Sequence, residues 1–328
     1  MDNYYNHYFD PEYFTKKQAQ RKEIKELGIY SGFALICQIV LQNVLSFMLE
    51  LSGLTDKYIG DGIFQNCVDI IIVFISLLLP FYLIGKKMKE ISGQADPVPL
   101  SKPTDAITFI LSVVAGIGIC MIANIATTYL TVIMSIFGLE LSSPDIPMPG
   151  GAAGVVTSII RIVVVAAIAE ELTLRGYVMG NLRKYGDKFA IIVSALVFAI
   201  MHGNLIQAPF ALIAGFGLGY FAVKTGTVWT AVAIHAANNF ISTAISYAMD
   251  YFSEEFVSLI YAFVLYGFIF FGLIALWLLK FRNNQKLRGD FLGTPEKEKM
   301  KAFFLNPAMI TALVYMIYIT TKFVSFNL

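Results

Sequence analysis

Residues 163–180 read VVVAAIAEELTLRGYVMG. The stretch opens as hydrocarbon fit for a bilayer. It then sets Glu170, Glu171 and Arg175 into one helical run and turns apolar again. Ionisable side chains at membrane depth are costly, so each one needs a partner or a task. The rest of the chain shows that the depth is that of a membrane. Of 328 residues, 57% are hydrophobic and only 14% are charged, against about 25% charged in an ordinary soluble domain. Apolar runs of roughly 18 residues or more recur along most of the length, each able to cross about 30 Å of hydrocarbon as a helix. The near-neutral net charge of +1 does not discriminate among partners.

The fold class implied is an all-α polytopic membrane protein with about eight to nine transmembrane helices and a four-helix core that carries the polar motifs. The apolar pattern predicts helices at 27–50, 63–85, 105–137, 153–185, 187–202, 206–224, 227–249, 256–281 and 305–326. Residues 1–26 read as a polar N-terminal segment on the cytoplasmic side. Residues 27–328 read as one multi-pass domain, with its polar motifs inside 153–249. The Pro-rich stretches at 92–105 and 141–154 separate helices rather than domains. The aromatic, acidic start lacks a basic n-region, so the first apolar run is expected to stay as an anchor. Cys37, Cys67 and Cys120 lack metal-ligand spacing and read as small hydrophobes.

Charge sets an expected orientation. Along an alternating path, 21 of the 24 lysines and arginines fall on one side. The positive-inside rule then places the N-terminus in the cytoplasm.

The embedded ionisable set is short: Asp69, Arg161, Glu170, Glu171, Arg175, His202 and His235. Glu171 and Arg175 are four apart and share a helical face, which predicts an internal ion pair. Glu170 points about 100° away and is left without that partner. Glu170 and His202 flank the Gly186–Asp187 turn at equal separations, so an antiparallel hairpin sets both about 24 Å along the helix from it. Phe198 lies one turn before His202 on the same face. His235 and Asn239 also share a face, four residues apart. A carboxylate, two imidazoles and an amide suffice for water activation, oxyanion stabilisation or metal ligation. Asp69 and Arg161 read as a structural pair across two helices. Gly215, Gly217 and Gly219 read as a close-packing face.

Glu-Glu-x-x-x-Arg (Glu170, Glu171, Arg175), Phe-x-x-x-His (Phe198, His202) and His-x-x-x-Asn (His235, Asn239) occur in that order on successive helices. Together they resemble the three motifs of the CPBP intramembrane proteases. That family includes CAAX prenyl endopeptidases of the Rce-one type and the bacterial Abi proteins of bacteriocin processing and self-immunity. The resemblance covers residues 170–239 and implies peptide-bond hydrolysis. It implies Glu170 as general base, Glu171 as the group that orients the site and holds Arg175, and His202 as the group that positions the water. It assigns His235 and Asn239 to the oxyanion. The family is named for metalloproteases, and Glu170, His202 and His235 are the candidate zinc ligands. A metal-free, glutamate-dependent mechanism is an equal reading, since no two-histidine, one-turn zinc motif is present.

The implied partners are a peptide or lipid-modified protein substrate and the lipid bilayer, with no nucleic acid. Richness in Ile, Lys, Asn and Tyr points to a bacterial plasma membrane. The main rival is a proton-coupled transporter, which also buries carboxylates and histidines. Carriers often repeat their polar, broken helices in two halves, and one motif set occurs here. The other rival is a non-catalytic immunity or scaffold protein of the same fold.

Overall fold

A computed structural model describes residues 11–94, 99–103, 105–146, 148–282 and 286–326. The aromatic start up to residue 10, His7 included, and the middle of the 92–105 loop lie outside the described residues. Almost everything described is helix. α1 is Pro11–Leu51, α2 Thr55–Gly60, α3 Gly62–Ser92, α4 Ala106–Ile136, α5 Gly151–Tyr185 and α6 Asp187–Met201. α7 is Gln207–Thr225, α8 Trp229–Ala248, α9 Glu254–Leu279, α10 Glu296–Phe304 and α11 Pro307–Thr321. Two short strands, β1 Leu139–Leu141 and β2 Val324–Phe326, pair antiparallel beyond the helix ends.

Local chemistry fixes several boundaries. Asp61 caps α3 by accepting from the amides of Ile63 and Phe64. Asp105 caps α4 and Ser253 caps α9. Asn306 caps α11, with Pro307 in the first turn, where its missing N–H costs nothing. Gly186, at φ +112°, makes the turn between α5 and α6.

The expected count of eight to nine spans is not confirmed. Among the described residues, six helices are long and apolar enough to cross a membrane, or seven if α10 and α11, bent by 79°, count as one broken span. α6 is only 15 residues long. α8 has 20 residues, but polar side chains such as His235, Asn238 and Asn239 lower its hydropathy. Both belong to the predicted core, so the core contains helices that the bilayer does not demand by length and apolarity alone. α1 also differs from expectation. It starts at Pro11, so the polar segment before residue 27 is helical and continuous with the first span.

α5 departs from a regular helix. Ile159–Val165 and Leu172–Val178 are π-helical, and they bracket the two glutamates. α3 has a π turn at Phe74–Leu78. Asp69 and Arg161 pair at 3.0 Å between α3 and α5. Arg161 also donates to Asn66 Oδ1 at 2.6 Å, and Asn66 donates to Ser158 Oγ at 3.0 Å. This buried polar seam ties the first π segment to α3. At the other edge of the molecule α1 seats against α10 and α11. A Cβ on Gly28 would collide with the carbonyl of Phe303, and one on Gly32 with the backbone of Met309.

Candidate active site

The site is built on α5, α6, α7 and α8. Glu171 Oε1 accepts two hydrogen bonds, from Arg175 Nη1 at 2.9 Å and from His235 Nδ1 at 2.8 Å. Arg175 Nη2 donates in turn to the carbonyl of Gly215 at 3.1 Å. Glu171 and Arg175 side chains are wholly buried. Low dielectric makes their attraction large, and it makes either one alone expensive. Glu171 Oε2 and Arg175 Nε are also buried and lack hydrogen-bond partners among the described residues.

Glu170 differs from its neighbour. Its side chain is 24% exposed, whereas that of Glu171 is 0% exposed. Its nearest cationic partner is His235, with Nε2 3.9 Å from Oε2. That gap is too long for a hydrogen bond, and one water can bond to both atoms across it.

The two histidines resolve in the same way. His202 Nδ1 lies 2.8 Å from the carbonyl of Phe198, so Nδ1 carries the proton and donates. His235 Nδ1 faces a Glu171 oxygen that already serves as acceptor. In each ring Nε2 is then the chemically available nitrogen. Phe198 joins the parts. Its ring meets His202 edge-on at 4.9 Å and His235 at 5.8 Å between centroids. The Arg175 guanidinium lies 4.7 Å from the same ring centroid. His202 itself caps the C-terminus of α6.

Asn239 Nδ2 donates to the carbonyl of Ile162 at 2.9 Å, inside the first π segment of α5. One of its two amide hydrogens is therefore engaged. The structure thus links Glu170, Glu171, Arg175, Phe198, His202 and His235 through one chain of contacts, with Asn239 on α8 one turn beyond His235. Among the described residues, no three His, Cys, Asp or Glu side chains come together as a metal-binding group. Glu170, His202 and His235 as arranged do not form a three-ligand set, and no step below is routed through a metal.

Three contributors escape motif reading. Gly215 offers its carbonyl to Arg175, and a Cβ there would sit 3.1 Å from Ala195 Cα and 3.3 Å from Arg175 Nη2. The glycine face of α7 is thus more than a packing surface. Asn204, almost fully buried, donates to the carbonyl of His202 at 2.9 Å and accepts from the Gln207 amide at 2.8 Å. It fixes the link that follows His202, and the Gly-Asn pair at 203–204 was its signal. The π segments leave no signal in composition.

No curated protein and no solved structure matches the chain. Residues 152–241 match the family model described as Rce1-like, type II CAAX prenyl endopeptidase Rce1-like. That interval contains the three motifs and every contact of the site just described. This core is similar to the Rce1-like CAAX prenyl endopeptidases, and it sits in a chain with several helices long and apolar enough to cross a membrane.

Proposed function

We propose that this protein is an intramembrane endopeptidase in which Glu170 activates water against a peptide bond of a membrane-associated, CAAX-type substrate. The observation that carries the proposal is the division of labour between two adjacent carboxylates. Glu171 is sealed and committed to Arg175 and His235, while Glu170 is partly exposed and free to take a proton. A water held by Glu170 and His235 Nε2 loses its proton to Glu170 as its oxygen attacks the peptide carbonyl. Neutral, His235 lends that water a lone pair. Protonated, it offers an N–H to the developing oxyanion. The remaining amide hydrogen of Asn239 is a second oxyanion donor. His202 Nε2 is available to hold the water or the leaving amine. Glu170 then returns its proton to the departing nitrogen.

The test is cleavage of a farnesylated peptide ending in a CAAX sequence by the full chain purified in detergent. Glu170→Gln keeps the size of the side chain but cannot accept the proton. We expect loss of cleavage with unchanged thermal unfolding. Cleavage at the wild-type rate would overturn the general-base assignment. The same assay with a chelator reads metal dependence directly.

A further inference from the structure

Residues of α4, α7 and α9, none of them a motif residue, line a cavity of about 770 Å³. It lies near the C-terminal ends of α7 and α9, and its rim carries Lys224, Lys280, Arg282 and Lys286. Among the described residues, no carboxylate lines it. Arg282 is already paired with Asp105 at the start of α4. The three lysines have no acidic partner among the described residues. Lys224 sits over the ring of Tyr220, 5.5 Å from its centroid. Below this rim the walls are Phe221, Leu273 and Leu276, with Trp277 beside them. Trp277 is exposed, and exposed tryptophan favours the headgroup level of a bilayer. Ser112 also lines the cavity, is fully buried, and its hydroxyl has no hydrogen-bond partner among the described residues.

We propose that this cavity binds the phosphate-bearing headgroup of an anionic membrane lipid, with the acyl chains against its apolar wall. The charge argument is direct. Three clustered ammonium groups repel one another, and a phosphate diester between them removes that cost. The apolar wall beneath the cations selects an amphiphile over a free anion. A lipid phosphate or glycerol oxygen also gives Ser112 the partner it lacks. The cavity is also at the end of the bundle that carries most of the lysines and arginines, the end expected to face an anionic leaflet. The inference does not depend on the proteolytic reading of the α5–α8 site.

The full chain, purified in detergent, is titrated with phosphatidylglycerol and, separately, with phosphatidylcholine, and bound lipid is counted by native mass spectrometry. We expect one phosphatidylglycerol to be retained in preference to phosphatidylcholine. Each lysine near an anionic headgroup is typically worth about 1 kcal/mol. Lys224→Gln, Lys280→Gln and Lys286→Gln together should therefore weaken retention about 100-fold at low salt. The Lys280→Gln, Lys286→Gln pair alone should weaken it about tenfold or more. Lys16→Gln with Lys17→Gln on α1 should leave it unchanged. Equal retention of the two lipids, or no effect of the lysine changes, overturns the proposal. Inorganic phosphate competing as well as the lipid binds would assign the site to a free anion and also overturn it.

Discussion

At the scale of single residues the burden falls on Glu171, whose one oxygen serves both Arg175 and His235. Glu171→Ala leaves a buried guanidinium unpaired, a loss typically of about 3–5 kcal/mol, and frees the His235 ring. Thermal unfolding in detergent should show that loss, and cleavage should vanish. Replacing both Glu171 and Arg175 by leucine should recover only part of the stability. The Gly215 carbonyl and His235 Nδ1 lose their partners in that variant. Full recovery would mean that these two bonds contribute little. On the proposed mechanism Asn239→Ala removes one oxyanion donor and should lower kcat by about 10²–10³ with a smaller change in KM. A rise in KM alone would assign Asn239 to holding the Ile162 carbonyl instead.

At the scale of elements, α5 explains what the sequence could and could not disclose. Its limits, its internal ion pair and the turn at Gly186 follow from apolar run length, four-residue spacing and glycine. Its two π segments do not, because a wider turn uses the same residues as an ordinary one. The equal-depth estimate for Glu170 and His202 assumed a regular rise. A π turn packs more residues into each turn and shortens it. The two rings of the site are nonetheless joined through Phe198. Bonds that end on backbone carbonyls, such as Arg175 to Gly215 and Asn239 to Ile162, were equally invisible, since every residue has a carbonyl. The approach of α6 to α7 gives a sharp test. Gly215→Val adds atoms where even a Cβ meets Ala195 Cα at 3.1 Å. It should cost about 1–3 kcal/mol and reduce cleavage by pushing Arg175. Unfolding midpoints of Gly215→Ala and Gly215→Val should fall in that order.

At the scale of the whole molecule, the family match spans only the central helices, and contacts outside them hold the frame. Asp105 is one such contact. Hydrogen bonds from the Thr108 hydroxyl and amide, with the Arg282 guanidinium beside it, lower its pKa from 3.8 to about 2. A carboxylate whose folded pKa is depressed stabilises the fold above its unfolded value and loses that contribution as pH falls through the folded one. The stability difference between wild type and Asp105→Asn should thus be nearly full at about pH 5, shrink progressively below it, be small by about pH 2 and close near about pH 1. Unfolding midpoints across that range in detergent check it, and a difference that persists unchanged at pH 2 would contradict it. Helix count was less legible than helix position. Length and apolarity identify long spans well, but α6, at 15 residues, and α8, with its polar side chains, are not among the helices picked out by those two criteria.

The seam between α1 and the last two helices sets an order of events during synthesis. Gln20 on α1 bonds Asp290, 270 residues later in the chain, and Gly28 and Gly32 wait for Phe303 and Met309. A ribosome adding about 5–20 residues per second makes that interval on the order of tens of seconds. For that time the glycine face of α1 stands in the nascent bundle without its partner. α1 is therefore made well before the contacts that lock it in place.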